Sequence, residues 1–405
     1  MSAVRASGKR WALCLSEVER LNIVVLGGGR VGGAIARDLD VEPDFSVLVV
    51  DVDPVRVEHL GVAGIEGVVA DLSRADTVAR AVEGADLVVG AVPGFMGYRT
   101  VERVLREGCP VVDISFFPED AFGLHGVAKE AGVPCLVDCG VAPGLSNLVL
   151  GRLEAEMDET RSFHCMVGGL PVERTPPWQY KALFSPGDVI EEYTRPARLR
   201  RDGVEVTLPA LSEVDVVDFP GVGSLEAFNT DGLRSLLRTC RTPNMVEKTL
   251  RYPGHAERVG LLRDAGFFGT EGVSTASGTV RPRDLAEALL FDAWHLSEGE
   301  PDLTVMRIVV EGTRDGRIVR HTYDLLDRYD PGSGVSSMAR TTGYTCTAMV
   351  RLIAEGAWTL PGLAPPEVVG RESACFDAVI RHLAERNVRV AHGTEELGDV
   401  VGGDA

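Results

Sequence analysis

The sequence predicts an α/β protein that combines a doubly wound parallel sheet of the Rossmann type with a second, α+β domain. Up to residue 138, six short apolar runs alternate with helical segments, and a glycine-rich turn follows the first run. From residue 144 onwards the strands become longer and the helices gather between them. Runs that are apolar without alternation are typical of parallel strands covered by helices on both faces. This rhythm therefore predicts the doubly wound fold.

The predicted elements follow in chain order. Strands of the first half are predicted at Asn22–Leu26, Ser46–Val50, Gly67–Ala70, Asp86–Gly90, Pro110–Ile114 and Pro134–Val137. Helices between them include Val31–Leu39, Arg74–Val82, Thr100–Glu107 and Asp120–Ala131. The second half has predicted strands at Ser162–Gly168, Glu205–Leu208, Val214–Phe219, Glu247–Arg251, Thr304–Glu311 and Arg317–Asp324. Its predicted helices are Leu145–Glu156, Pro253–Ala265, Arg283–Leu296, Ser337–Glu355 and Ser373–Arg386.

These elements suggest four parts. Residues 1–20 form an N-terminal extension, residues 21–143 a Rossmann domain, and residues 144–335 an α+β substrate domain. Helices in residues 336–405 are expected to return and pack on the first domain.

Composition excludes several classes of partner. The formal net charge is −19 and the isoelectric point is about 4.9, which argues against binding to nucleic acid or to an anionic membrane. No apolar run approaches the ~20 residues of a membrane helix. The eight cysteines are scattered without metal-site spacing, so we expect no metal and a reducing, cytoplasmic location.

The glycine-rich turn is the first functional signal. Gly27, Gly29 and Gly32 satisfy the pattern G-x-G-x-x-G, and Arg30 and Val31 lie within it. The pattern gains meaning because it follows an apolar strand and begins a helix. Gly27 permits a tight turn, Gly29 lets backbone approach a pyrophosphate, and Gly32 allows close packing of helix and strand. A glycine turn that binds another nucleotide, or none, is the alternative.

An acidic residue follows the second predicted strand. Asp51, followed by Val52, lies about 20 residues after Gly32, where a carboxylate accepts hydrogen bonds from the adenosine ribose. A carboxylate there repels a 2′-phosphate, so NAD is favoured over NADP. Arg56 is close enough in sequence to bind such a phosphate instead.

The ends of the next two strands complete the predicted cofactor site. Asp71 and Leu72 end the third strand near the adenine, although Asp71 serves equally well as a helix cap. Ala91, Val92 and Pro93 end the fourth strand, on the nicotinamide side. Ligands of doubly wound sheets collect at these carboxyl ends.

Longer motifs occur in both halves of the chain. They are Asp138–Gly144, Gly168–Val172, Leu211–Val214, Leu225–Thr230, Arg251–Glu257 and Met338–Thr345. With these motifs, the chain from about residue 22 to residue 370 resembles the saccharopine dehydrogenase superfamily, and most of all its lysine 6-dehydrogenase branch.

The resemblance implies a Rossmann domain joined to a substrate and dimerisation domain in a homo-oligomer, a dimer or a tetramer. It implies NAD(P)-linked oxidation of a C–N bond of an amino acid. In the lysine branch the side-chain amine is oxidised and released, giving allysine and then a cyclic piperideine carboxylate. A saccharopine-type enzyme and a non-catalytic NAD-binding module are the alternatives. Segments 91–97 and 113–120 depart from the lysine branch, and both are expected at the nicotinamide end.

Amine oxidation needs a base, because an ammonium has no lone pair with which to expel a hydride. His255 is the candidate by its ordinary pKa, with a structural hydrogen bond at the start of a helix as the alternative. Glu257 lies in the same motif. Lys181 is a lower-ranked candidate that would need burial to lower its pKa.

Two further charged residues suit an amino-acid substrate. Arg251 is the candidate anchor for a carboxylate, which a guanidinium binds bidentately, with an ion pair as the alternative. Asp138 ends the sixth strand and either binds the substrate ammonium or orders the turn that follows.

Overall fold

A computed structural model describes residues 20–182, 186–276 and 278–399. Predicted features in residues 1–19 and 400–405, including most of the N-terminal extension, lie outside the described residues.

The first domain is built on a parallel sheet. Its first six strands are β1 (Leu21–Leu26), β2 (Phe45–Asp51), β3 (Glu66–Val69), β4 (Leu87–Gly90), β5 (Val111–Asp113) and β6 (Pro134–Leu136). They lie in the order β6-β5-β4-β1-β2-β3. The helices are α1 (Arg30–Asp40), α2 (Pro54–Val62), α3 (Ala75–Ala81), α4 (Gly94–Arg106) and α5 (Leu124–Ala131), preceded by a 3₁₀ turn at Ala121–Gly123. This arrangement confirms the predicted Rossmann-type fold.

Burial explains why these strands are apolar throughout. Ile23 and Val25 on β1 belong to one hydrophobic cluster, while Val24 and Leu26 belong to a second cluster. Alternate residues of one strand therefore support cores on opposite faces of the sheet, which is what a parallel sheet between helices requires.

The second domain contains a larger, mixed sheet. Its strands are β7 (Glu159–Pro171), β8 (Ala197–Arg201), β9 (Val204–Leu208), β10 (Asp215–Phe219), β11 (Gly223–Asn229), β12 (Asn244–Arg251), β15 (Asp302–Arg314) and β16 (Arg317–Arg328). Strands β13 (Val273–Thr275) and β14 (Gly278–Val280) form a separate hairpin. The helices are α6 (Leu145–Glu156), α7 (Pro186–Thr194), α8 (Leu236–Thr239), α9 (His255–Asp264) and α10 (Pro282–Trp294). Strands β12 and β7 pair in parallel, whereas β7 and β15 are antiparallel.

The C-terminal segment joins both sheets. It contains α11 (Ser337–Ala354), β17 (Gly362–Ala364), α12 (Pro366–Gly370), α13 (Ser373–Glu385) and β18 (Val390–Asp399). Strand β17 extends the first sheet beside β6, and β18 extends the second sheet beside β16. Neither strand is among the predicted elements, because β17 has three residues and β18 is largely polar and exposed.

Helix α11 is tied to both domains by polar contacts. Both carboxylate oxygens of the buried Asp302 on β15 accept hydrogen bonds from the first N–H groups of the helix, at Ser337 and Met338, at 2.7 and 3.0 Å. At its other end, Arg351 donates to Asp38 of α1 at 3.2 Å. The limits of the four predicted parts remain a proposal, supported by this return of the chain.

Among the helices of the described segments, none is both long and apolar enough to cross a membrane. The described residues also contain no group of three or more His, Cys, Asp or Glu side chains arranged to hold a metal ion.

Candidate active site

A cleft of about 930 Å³ lies where the carboxyl ends of the first sheet face the second sheet. One wall follows β1, β2, β4 and β5 and includes the glycine-rich turn. The other wall comes from β7, β12, α7 and the end of α10. All twelve residues of the predicted cofactor site line this cleft: Gly27, Gly29, Arg30, Val31, Gly32, Asp51, Val52, Asp71, Leu72, Ala91, Val92 and Pro93.

The glycine turn leaves space for a ligand at one position and forbids side chains at two others. A Cβ at Gly27, whose φ is +108°, would overlap the carbonyl oxygen of Ala91. One at Gly32 would overlap the carbonyl oxygen of Gly27. A Cβ at Gly29, in contrast, would meet one atom, the Arg56 guanidinium at 4.0 Å. Helix α1 begins directly after Gly29, so its free N–H groups face this open position, where a pyrophosphate fits.

Asp51 is held at the edge of the cleft by backbone. Its Oδ2 accepts the N–H of Gly28 at 2.6 Å, and its Oδ1 accepts the N–H of Asp53 at 2.8 Å. A carboxylate has about four acceptor positions, so two remain for ribose hydroxyls. The Arg56 guanidinium is 3.6 Å from Asp51 and 54% exposed. The same edge therefore holds both an acid suited to a ribose and a cation suited to a phosphate.

Asp71 takes part in a local turn. It does not cap the next helix, as its alternative interpretation expected it to, because the N-cap of α3 is Arg74 and has no side-chain cap hydrogen bond. The Oδ1 of Asp71 accepts the N–H of Ser73 at 3.0 Å, and hydrogen bonds from Ser73 lower the pKa of the Asp71 carboxyl. Together with the open position at Gly29 and the acid at Asp51, this wall fits a nicotinamide dinucleotide.

The opposite wall presents one face of β12. Glu247, Thr249 and Arg251 alternate along this strand, and all three line the cleft. Lys248 points to the other face of the sheet, where its Nζ donates to Asp215 at 2.5 Å and to the carbonyl of Glu213 at 2.6 Å. The period of two residues in a strand thus gathers the polar groups on the cleft side.

Arg251 is buried among polar partners. Its Nη2 donates to Glu192 on α7 at 2.7 Å, and its Nε donates to the hydroxyl of Tyr193 at 3.3 Å. The guanidinium also lies over the ring of Tyr180, 4.5 Å from its centroid. Burial raises the pKa of Glu192, and the guanidinium of Arg251 opposes that rise. Arg251 thus forms the ion pair that its alternative expected and also lines the cleft, and its role as a carboxylate anchor stays a prediction.

Glu247 is the second charged group on this face. It is 7% exposed, and its Oε2 accepts a hydrogen bond from Thr230 at 2.7 Å. Burial raises the pKa of its carboxyl to about 8. At neutral pH most of this side chain is therefore protonated.

His255 lies behind the cleft. It is fully buried, with Nδ1 placed 3.1 Å from the carbonyl oxygen of Trp178 and Nε2 placed 2.9 Å from the hydroxyl of Tyr193. The carbonyl can only accept, so Nδ1 carries the proton and Nε2 accepts from Tyr193. Burial, reinforced by Arg251, lowers the pKa of the imidazole to about 3. This geometry disagrees with a catalytic base and matches the structural alternative.

Lys181 and Glu257 also lie outside the cleft lining. Lys181 donates to the carbonyl oxygen of His295 at 2.9 Å and is only partly buried. Glu257 points to solvent from the first turn of α9. Neither position places its side chain in the cleft, as a base role for Lys181 or a catalytic role for Glu257 requires, because local sequence spacing does not determine which side of a helix or turn faces a cleft.

Asp138 connects the two domains. Its two oxygens each lie 2.9 Å from Nε of Arg234, whose Nη1 donates to the carbonyl oxygen of Phe117 at 2.9 Å. Asp138 lines the cleft with 2% of its side chain exposed, so the ion pair occupies the carboxylate proposed for a substrate ammonium. Arg30 makes a second link, from the glycine turn to the carbonyl oxygen of Leu296.

The two segments that depart from the lysine branch contribute to the cleft. Phe95 and Met96 belong to the first segment, and Ser115 and Phe116 belong to the second. The ring of Phe116 lies under the guanidinium of Arg234, with a separation of 4.3 Å.

The structure also reveals cleft residues that the sequence interpretation missed. Those with polar or aromatic side chains include Asp188, Glu192, Thr230, Asp231, Glu247, Thr249 and Trp294. Because Arg251 is a predicted site residue, the period of two residues in the predicted strand at 247–251 indicates that Glu247 and Thr249 lie on the same face as Arg251. The residues of α7 carry no comparable signal.

Two family models cover most of the chain. The model described as "Saccharopine dehydrogenase NADP binding domain" matches residues 23–136. The model described as "Saccharopine dehydrogenase C-terminal domain" matches residues 140–388.

Several relatives match this chain at a sequence identity of 21–23%. A saccharopine dehydrogenase [NADP(+), L-glutamate-forming] of Schizosaccharomyces pombe is 21% identical over 421 residues, covering 85% of this chain and 93% of that protein. The Pyricularia oryzae protein of the same name is 22% identical over 375 residues, covering 74% and 82%. An alpha-aminoadipic semialdehyde synthase of Arabidopsis thaliana is 23% identical over 231 residues, which are 52% of this chain and 21% of that protein.

The fold agrees with a solved structure. The apo saccharopine dehydrogenase (L-Glu forming) of Saccharomyces cerevisiae superposes with a TM-score of 0.75 at 19% identity, covering 93% of this chain and 100% of that one. Because the two family models together span both domains, the chain belongs to the saccharopine dehydrogenase family.

Proposed function

We propose that this protein is an NAD-dependent dehydrogenase that oxidises the side-chain amine of lysine to an imine, which hydrolyses to allysine and cyclises. The observation that carries the proposal is the continuous cleft. It joins the glycine turn on one wall to Arg251 and a group of buried carboxyls on the other. A substrate with both a carboxylate and an ammonium suits a wall that offers both charges. Relatives of this chain are named saccharopine dehydrogenases.

Arg251 is proposed to hold the α-carboxylate of the substrate. Tyr193, Glu192 and Tyr180 keep the guanidinium in place, so little side-chain entropy is lost when the carboxylate binds. The bound nicotinamide supplies the hydride acceptor. The chain must then position the amine-bearing carbon near the segment 91–93 and remove one proton from the ammonium.

Aromatic side chains beside Arg251 are proposed to limit water around the bound substrate. Trp294 is fully buried and packs against Tyr180 and Tyr193, with ring centroids 5.4 and 6.1 Å away. Limited hydration strengthens the charge interactions that hold a zwitterionic substrate.

NAD is the proposed cofactor because Asp51 is fixed at the ribose position by two backbone N–H groups. NADP is the alternative, and it is supported by the nearby Arg56 and by the description of the matching family model. Dissociation constants for NADH and NADPH, measured by quenching of tryptophan fluorescence, separate the two. We expect NADH to bind at least tenfold more tightly, and tighter binding of NADPH would reverse the assignment.

Saccharopine is the second candidate substrate, favoured by the names of the relatives. Wild-type protein is mixed with NAD⁺ or NADP⁺ and with lysine, ornithine or saccharopine, and absorbance is followed at 340 nm. The proposal expects reduction with lysine. Reduction with saccharopine alone would select the second candidate. Tight cofactor binding without turnover on any of the three would support the non-catalytic module.

The homo-oligomeric state and the cytoplasmic location stay predictions. Exposed apolar side chains on α10, namely Leu285 and Leu289, support burial against a second copy. Light scattering coupled to gel filtration measures the number of copies, and a monomer at all concentrations would contradict the prediction.

A further inference from the structure

The carboxyls that line the substrate wall differ in whether a cation already compensates them. Asp231 accepts three hydrogen bonds from Arg198, from its backbone N–H and two guanidinium nitrogens, at 3.0–3.1 Å. Glu192 accepts from Arg251. Glu247 forms no ion pair with any described residue and has one side-chain hydrogen bond, from the hydroxyl of Thr230.

The fold makes room for this uncompensated carboxyl. Gly232 lines the cleft beside it, and a Cβ at that position would overlap the carboxyl carbon of Glu247. Thr230 also bonds to the hydroxyl of Thr249 at 2.9 Å, which fixes the hydroxyl that contacts Glu247. A buried charge without a partner costs several kcal/mol, so an acid in this position is expected to remain neutral until a cation arrives.

We infer that Glu247 is the residue that receives the substrate's ammonium group and thereby selects cationic amines. This inference rests on the proposed function, and it deepens that proposal by naming the contact that determines the substrate class. When the ammonium binds, the neutral carboxyl loses its proton to solvent, and the resulting carboxylate pairs with the ammonium. Arg251 lies on the same face of β12, beyond Thr249, and holds the α-carboxylate at the other end of the substrate.

Burial is the main cause of the raised pKa of Glu247, the hydrogen bond from Thr230 lowers it, and the charges that face the carboxyl modify it further. Glu192 from α7 and Asp231 from the loop after β11 raise the pKa of its carboxyl, and Arg251 on β12 opposes them. Cys165 lies opposite on β7, and its own pKa is raised well above the usual value, so it remains neutral. With a pKa of about 8 in the free site, binding below pH 8 requires deprotonation. Affinity for a cationic amine therefore rises with pH up to about 8 and then levels off.

Calorimetry of a complex that cannot react tests the inference. The protein is saturated with NADH, which cannot accept a hydride, and is titrated with L-lysine or with saccharopine in phosphate and in Tris. The difference in heat between the buffers gives the protons released. We expect about 0.9 proton per bound molecule at pH 7 and almost none at pH 9.5.

The Glu247→Gln variant keeps the shape and removes the charge. We expect it to release no proton and to bind roughly tenfold or more weakly at pH 8. Glu367→Gln is the matched control, because Glu367 is fully buried, accepts from Thr239 and Asn147, and does not line the cleft. That control should release as many protons as the wild type. The Asp188→Asn variant removes another acid of the cleft, one that is less buried than Glu247, and it should release as many protons as the wild type.

Several results would overturn the inference. The wild type would contradict it by binding neither amine or by binding without releasing protons. Proton release that persists in Glu247→Gln, or that is lost in Asp188→Asn and not in Glu247→Gln, would show that another acid responds. The wild-type pH series decides even if a variant does not fold. Failure of the proposed function looks different: lysine would bind with proton release, yet no absorbance would appear at 340 nm with the oxidised cofactor.

Discussion

The two walls of the cleft are built from different chemistry. The wall of the first sheet is mostly backbone and small residues, with Asp51 held by N–H groups of the chain. The wall of the second sheet carries buried charged side chains, among them Arg251, which is bonded to Glu192 and Tyr193. Backbone N–H groups bind the phosphate and ribose features that all dinucleotides share. Buried charged side chains, in contrast, bind a substrate whose own charges match theirs. Changes in the first wall should therefore alter cofactor binding, and changes in the second should alter substrate affinity and stability together.

The largest effect is expected at Gly32. In Gly32→Ala the new Cβ overlaps the carbonyl oxygen of Gly27, so the turn must open and the pyrophosphate position is lost. We expect NADH affinity to fall by about 100-fold or more and stability to fall by roughly 1–3 kcal/mol, the usual cost of overpacking. Gly29→Ala is the control for stability, because its Cβ has space. Equal loss of thermal stability in both variants would contradict the account.

Arg251 should give the next largest effect. Arg251→Met removes a buried cation and leaves Glu192 without its partner. We expect kcat/KM for the amino acid to fall about 100-fold and the free energy of unfolding to fall by about 3–5 kcal/mol. NADH affinity should stay within twofold of the wild type. Arg281→Met, which removes an exposed ion pair with Asp284, is the control. Weaker NADH binding with an unchanged KM for the amino acid would contradict the account, because it would show that Arg251 serves the cofactor and not the substrate.

The His255→Ala variant tests whether His255 acts as a catalytic base or only supports the structure. Its pKa of about 3 keeps it neutral over the working range of pH, so His255→Ala should leave the shape of the pH–kcat profile unchanged. Loss of the contacts with Tyr193 and Trp178 should lower stability by about 1–3 kcal/mol. The profile and the thermal midpoint are both measured. Loss of a limb of the profile would restore His255 as the base.

Asp51 should affect cofactor binding and leave the KM for the amino acid unchanged. Asp51→Ala removes an acceptor for the ribose and should weaken NADH binding about tenfold while leaving NADPH within about threefold, the loss expected for one or two hydrogen bonds. Arg56→Ala is the paired variant and should change NADH affinity little. If Arg56→Ala instead abolishes binding of NADPH that is tight in the wild type, NADP is the cofactor.

Lys181 and Glu257 should give the smallest effects. Both lie outside the cleft, so Lys181→Met and Glu257→Gln should change kcat/KM by less than twofold and stability by no more than about 0.5 kcal/mol. Steady-state kinetics with the best substrate provide the measurement. A tenfold loss in either variant would show that a cleft-forming movement brings that side chain inward.

The two walls also differ in how far the sequence predicts them. The turn at residues 27–32 follows a fixed spacing, because Gly27 and Gly32 avoid clashes with backbone carbonyl oxygens and Gly29 leaves open space for a ligand, so its residues could be assigned from the sequence. Arg251 could be singled out from the sequence as a guanidinium in a motif, suited either to a carboxylate or to an ion pair. The base role predicted for His255 does not fit the structure, because burial, reinforced by Arg251, lowers the pKa of its imidazole to about 3. In addition, the hydroxyl of Tyr193, 62 positions away, occupies its Nε2. Glu192 on α7 and Asp231 could be found only after the fold had brought distant segments together.

A crystal structure with NADH and L-lysine bound tests the central claim most directly, namely that one cleft holds the cofactor on its first wall and the amino acid on its second. The account predicts the pyrophosphate over Gly29, the nicotinamide beside residues 91–93, and the lysine carboxylate within hydrogen-bonding distance of Arg251. A cofactor in the cleft with lysine bound elsewhere, or with Arg251 still bonded to Glu192 alone, would contradict it.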